Sequence, residues 1–311
     1  MKRKLLIISL ILVFVLVLSV GCKKTGGDDP TPTKEPDTTA TPEPEVTEEP
    51  TPTPEPGPQT YVDDDFSEDY PDEPPMLDGW HFWDVTNGGN SKVYEQGDNK
   101  YFRIQGFISM TYLDLFETPY TFQFDARGVK ADEVGAVFVR GNKELTVPVS
   151  KNPQGAGYYE GDDSGTKFTS TTGIGLWFKE NGKLTLFIKT LDTSKPAKIG
   201  NCFAEIECSY SASNWNKIRI DDDCKGTIKY YVNDDLIATI EYSDLGTYDD
   251  FDPLFDGENF YKKAVIKDKD GNELASTDSA FIYEYSEIAF GMRTAAIDVD
   301  NLLLKDLELE E

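Results

Sequence analysis

Apolar and polar residues alternate at period two through most of the second half of this chain. Ile174, Leu176 and Phe178 alternate with Gly175, Trp177 and Lys179. After the turn Asn181-Gly182 come Leu184, Leu186 and Ile188. Phe122 and Phe124, Ile218 and Ile220, Ile228, Tyr230 and Val232, then Ile288, Phe290 and Met292 repeat the pattern. Such alternation is what a strand with one buried face requires. Asn233-Asp234-Asp235 stands between two such runs, as a hairpin turn does. No segment of useful length carries the 3.6-residue period. The pattern predicts an all-β domain of many short strands, a sandwich or jelly roll.

The first sixty residues follow other rules. Lys2-Arg3-Lys4 precede an apolar run from Leu5 to Val20, broken only by two serines. Ser19-Val20-Gly21-Cys22 then resembles the cleavage box of a bacterial lipoprotein signal, with Ser19 where leucine is usual. The resemblance implies cleavage before Cys22 and lipidation of its thiol. An uncleaved signal anchor is the alternative, but the run is shorter than the roughly 20 residues a spanning helix needs. Either reading puts the rest of the chain outside the cell, at a membrane. Residues 23–60 hold ten of the eighteen prolines and almost no apolar side chain. They are read as a disordered spacer, reaching up to roughly 100 Å at ~3.1 Å per residue.

Residues 61–311 remain for folding, the size of one large β domain or two small ones. The full chain carries a formal charge of −27. That charge repels nucleic acid and offers carboxylates to calcium. The single histidine, His81, excludes sites that need several. Besides Cys22 there are three cysteines, Cys202, Cys208 and Cys224, so at most one disulfide forms within the chain. Cys208 and Cys224 are one candidate pair.

Three stretches together resemble the concanavalin A-like, or laminin-G-like, jelly roll. One runs from Trp215-Asn216-Lys217-Ile218 through Tyr230-Tyr231-Val232-Asn233 to Ile237-Ala238-Thr239-Ile240. A second is the tail from Ile288 to Leu302, and the third is the opening Asp64-Asp65-Phe66 with Gly79-Trp80. Stretches near 141–170 and 245–285 do not fit and read as insertions. The resemblance implies pairing of the first and last strands; Trp80 and Trp215 are read as core. It also implies a structural calcium near the paired termini, for which Asp63, Asp65 and Asp300 are the first positions to examine.

The family includes lectins, carbohydrate-binding modules, adhesion domains, glycosidases and lyases. Its laminarinase-type members carry a Glu-x-Asp-x-x-Glu run, which is absent here. Glu205-Ile206-Glu207 lacks the third acid, and Asp249, Asp250, Asp252, Asp256 and Glu258 form no catalytic pattern. Asp268-Lys269-Asp270-Gly271 reads as a hairpin turn rather than a calcium loop. Sugar binding needs aromatic faces beside polar groups. Trp177 points away from the apolar face of its strand and leads the candidates. Arg293, beside the small residues Ala289 and Gly291, follows, with Trp83 and Tyr283, and Tyr158, Tyr159 and Tyr285 behind them. The expectation is a lipid-anchored extracytoplasmic protein. Its jelly roll binds a polysaccharide or a cell-wall or matrix polymer without catalysis. The alternatives are a glycosidase or lyase on the same fold, or a protein-binding adhesion module.

Overall fold

A computed structural model describes residues 57–84, 91–142, 172–179, 183–194, 198–253 and 255–308. Cys22, nearly all of the proline-rich tract, Tyr158, Tyr159 and the Asn181-Gly182 turn lie outside these residues. The described residues contain no helix. The strands, in order, are β1 (Thr60–Asp64), β2 (Trp80–Asp84), β3 (Lys92–Gln96), β4 (Asn99–Tyr112) and β5 (Tyr120–Gly141). Next come β6 (Ile174–Phe178), β7 (Leu184–Leu191), β8 (Ile199–Ile206), β9 (Asn216–Asp222) and β10 (Thr227–Val232). The last are β11 (Asp235–Gly246), β12 (Phe260–Asp268), β13 (Glu273–Thr277), β14 (Ile282–Tyr283) and β15 (Glu287–Asp306). All pair antiparallel, giving the two-layered jelly-roll class that the alternation predicts.

Two long strands join the layers. β5 has 22 residues and β15 has 20. At ~3.3 Å per residue either would run more than 60 Å if straight, too long for a domain of this size. They bend instead. The β5–β15 pairing shifts register between Arg293 and Ala295, between Ala296 and Ile297, and between Asp300 and Leu303, and such irregularities kink a strand. The first half of β5 pairs with β9 and its second half with β6. The path from the outer edge reads β13-β12-β11-β10-β9-β5-β15-β4-β2. β1 lies against the end of β15, with Asp64 opposite Leu302, so the terminal strands pair as the resemblance implies.

The core holds the residues that alternation assigns to it. Phe122, Phe124, Ile174, Leu176, Phe178, Ile218, Ile220, Ile228, Phe290 and Met292 are all buried in one cluster. Trp80 joins them, its ring 6.1 Å from both Phe122 and Phe290. Asn233 and Asp234 form the two-residue turn between β10 and β11, with φ of 52° and 71°. That is the left-handed geometry a tight hairpin needs, and Asn and Asp tolerate it well.

One expectation changes. Trp215 is half-buried, not core, and lies under the Arg127 guanidinium. The stretch read as an insertion near 245–285 adds β12, β13 and β14 to the sheet. β12 pairs with β11 from Ala238–Asp268 to Gly246–Phe260, and β13 and β14 pair with β12. Asp268 caps the β12–β13 hairpin, accepting the Asp270 and Asn272 amides at 2.9 Å and 2.8 Å. Cys202, Cys208 and Cys224 are free thiols. Cys224 Sγ donates to the Thr118 carbonyl at 3.1 Å.

Candidate functional site

The register aligns two of the sequence candidates. Trp177 on β6 stands opposite Ala136 on β5, and Ala136 opposite Gly291 on β15. Gly291 stands opposite Ser109 on β4, and Ser109 opposite Trp83 on β2. Positions 83 and 177 therefore end one row, four strand spacings or ~19 Å long, separated by three small residues. Position 293 lies two residues along β15 from Gly291, opposite Phe107 and Val134.

Trp177 does not stand free on this row. Its ring is half-buried against Ala136, Phe138, Phe187 and Ala289. Among the described residues its buried Nε1 finds no hydrogen-bond partner, nor does the hydroxyl of Thr185 directly opposite. Phe187 covers Gly175, where a Cβ would meet the ring at 2.1 Å. Lys179 Nζ sits 5.0 Å above the indole and pairs with Glu205 at 3.5 Å. Lys183 also pairs with Glu205 and holds its carboxyl below the ordinary range. Glu205 is thus a surface ion-pair partner.

Tyr283 lines no sugar face either. It is buried in a second apolar cluster with Ile199, Phe255, Phe260 and Phe281. Its hydroxyl donates to Glu258 at 2.8 Å, and burial followed by that carboxylate raises its pKa.

The acids chosen for calcium do not converge. Asp63 and Asp65 are exposed, while Asp300 is buried. Asp65 accepts the Ser67 amide at 2.9 Å, and hydrogen bonding from Ser67 lowers its pKa. Asp300 is spent on the Asn99 side chain at 3.0 Å and the Asn301 amide at 2.8 Å. Among the described residues no three His, Cys, Asp or Glu side chains are placed to hold a metal. Calcium wants six to eight oxygens, so these residues do not fit one.

The second cluster instead floors a cleft of about 460 Å³. One wall is the end of β7 and the β7–β8 connection, with Leu191, Thr193 and Lys198. The other is the β11–β12 connection, with Thr247, Tyr248, Asp249, Asp250 and Phe251. The two walls are tied beneath. The Leu191 amide donates to the Ser279 carbonyl at 2.8 Å, and Tyr248 Oη donates to the Ala280 carbonyl at 3.2 Å. Phe281 seats both aromatic walls, its ring 4.6 Å from Tyr248 and 5.2 Å from Phe251. Burial, then the charge of Asp244, raises the Tyr248 pKa, so its hydroxyl stays neutral at physiological pH. Thr247 donates to Asp249 at 2.9 Å and so orients that carboxylate. Rigid aromatic sides, two exposed carboxylates, hydroxyls and one ammonium converge on a volume suited to a small ligand.

A second groove, about 510 Å³, runs past Asp221, Asp223, Thr227, Lys229, Tyr231, Leu307 and Glu308. Burial raises the Asp221 pKa. Its carboxylate accepts from Thr121 at 2.9 Å and faces Arg219 at 3.3 Å. Asp223 is engaged by the Lys225 and Thr227 amides, both at 2.8 Å. Both of these carboxylates are held by hydrogen bonds of the fold itself.

No protein-family model matches the chain. No curated protein matches it either. Solved structures do. A carbohydrate-binding module, CBM66 from Bacillus subtilis, is 8% identical over 74% of this chain and 98% of its own, with a TM-score of 0.36. A β-glucanase of Bacillus licheniformis is 11% identical over 80% and 98%, with a TM-score of 0.41. The Crh5 transglycosylase, solved with NAG, is 8% identical over 80% and 84%, at 0.43. At such identities the function has to be argued from the residues themselves.

Proposed function

We propose that this is a lipid-anchored extracytoplasmic protein whose jelly roll binds a glycan in the Tyr248–Phe251 cleft without cleaving it. Cys22 is the proposed anchor and residues 23–60 the spacer. One observation carries the binding reading. Two aromatic rings and two exposed carboxylates, with threonine hydroxyls, meet on one cleft seated on a buried aromatic cluster. Aromatic faces cover the C–H faces of a pyranose, while carboxylates and hydroxyls take its hydroxyls. Hydrolysis requires a pair of carboxyl groups in acid and base or nucleophile roles across a bond. Asp249 and Asp250 are adjacent in sequence on one wall, and among the described residues lining the cleft the other wall carries Leu191, Thr193 and Lys198.

A glycan array probed with the secreted chain tests this directly. Retention of a polysaccharide, without release of reducing ends over a day, is the expected result. Release of reducing ends would put the enzyme reading in its place. Retention of no glycan at all would reject the binding reading.

A further inference from the structure

We infer a second binding site, for the carboxylate of an acidic sugar, on the row Lys92–Arg103–Asp298–Arg127 across β3, β4, β15 and β5. It shares no residue with the cleft. Asp298 is fully buried at the centre of the row. Arg103 grips it from one side, Nε to Oδ1 at 2.6 Å and Nη2 to Oδ2 at 3.1 Å. Arg127 grips it from the other, Nη2 and Nε both to Oδ2, at 2.6 Å and 3.1 Å. Both Nη2 atoms thus meet one oxygen, so the guanidinium heads lie side by side.

Each guanidinium has five N–H donors in a fixed fork. Asp298 takes only the Nε and Nη2 edges. Neither Nη1 donates to any group among the described residues, and both side chains remain 20% exposed. One buried carboxylate balances one of the two cations, leaving a positive charge on a chain of net charge −27. Two preorganised, outward guanidinium edges match a planar carboxylate.

Aromatic rings frame the pair. Arg103 lies 4.5 Å from the Tyr94 ring centroid, and Arg127 lies 4.7 Å from that of Trp215. Tyr94 and Trp215 are both half-buried, so each ring keeps an exposed part beside a guanidinium. A pyranose carrying its carboxylate on the arginines would rest against those rings. One step along, Asp300 and Asp125 are occupied by Asn99 and Asn301, at 3.0 Å and 2.7 Å. Lys92, at the end of the row, is paired with the exposed Asp72; Asp298 is sequestered, so at the two arginines the ligand meets donors rather than a bare carboxylate.

Trigalacturonate, titrated at physiological ionic strength, is the probe, with its neutral counterpart trigalactose as control. Nuclear magnetic resonance of the arginine side chains should show the Arg103 and Arg127 Nε–H signals shifting with the acid sugar and staying still with the neutral one. Arg103→Lys keeps the charge and loses the fork. It should weaken trigalacturonate about tenfold, the loss of one charge-assisted contact. The cleft variant Phe251→Ala should leave this titration unchanged. Unmoved arginine signals would overturn the site. So would equal shifts with trigalactose, or shifts with an acidic peptide and none with the sugar. Should Arg103→Lys fail to fold, the wild-type titration decides alone.

Discussion

Arg140 and Asp222 form a bidentate ion pair closed off from solvent, with Nε to Oδ2 at 2.6 Å and Nη2 to Oδ1 at 2.9 Å. The pair ties the far end of β5 to the end of β9. Tyr242 donates to the same carboxylate at 3.0 Å, and Arg140 Nη1 donates to the Glu284 carbonyl at 2.6 Å. That carbonyl belongs to the segment carrying Phe281 and Tyr283, so the pair also anchors the floor of the cleft. Removing one member strands the other. Arg140→Met should cost about 3–5 kcal/mol in chemical denaturation. A loss below ~1 kcal/mol would mean that water reaches Asp222.

Trp177 gives a second, opposite test. Its indole N–H is buried and has no partner among the described residues, a cost of about 1–3 kcal/mol that phenylalanine would remove. Trp177→Phe should therefore keep or raise the melting temperature. Trp177→Ala should lower stability by about 3 kcal/mol, because it empties a packed site. A harmless Trp177→Ala would show the ring free on the surface.

These residues also show what the sequence made legible. Period two placed Ile174, Leu176 and Phe178 in the core and Trp177 on the other face, because side-chain alternation is a local property of a strand. The same parity placed Trp215 outside, out of step with Ile218 and Ile220. A core place for Trp215 runs against that parity. Curvature was not legible. The register shifts near Arg293 and Asp300 arise in pairing with strands distant in sequence, β4 and β5 at Arg293 and β5 at Asp300. The cleft was missed because Tyr248 and Phe251 stand in a connection without periodicity. The run Thr247-Tyr248-Asp249-Asp250-Phe251, aromatic and acid interleaved, was the available signal. How Asp65 and Asp300 are engaged was not legible either, because residues close in register still spend their oxygens on different partners.

Asp300 has a pH signature. Burial raises its pKa above the ordinary value of 3.8. A carboxyl with a raised folded pKa binds its proton more tightly in the native state. Its contribution therefore falls as pH climbs from about 3.8 through the folded value. Across that window the wild type should lose stability relative to Asp300→Asn, measured by urea denaturation between pH 3 and pH 7. Parallel curves would contradict the burial. Millimolar calcium should leave the melting temperature of both chains unchanged, and a rise abolished by Asp300→Asn would restore the metal reading.

Binding in the cleft is the central claim, and titration calorimetry tests it most directly. The wild type, Phe251→Ala and Trp177→Phe would each be titrated with the oligosaccharide the array selects. Phe251→Ala should weaken binding at least about tenfold, the loss of ~1.4 kcal/mol of aromatic contact. Trp177→Phe should bind as the wild type does. Undiminished binding by a folded Phe251→Ala, with loss in Trp177→Phe, would contradict the account and place the glycan on the Trp83–Trp177 row.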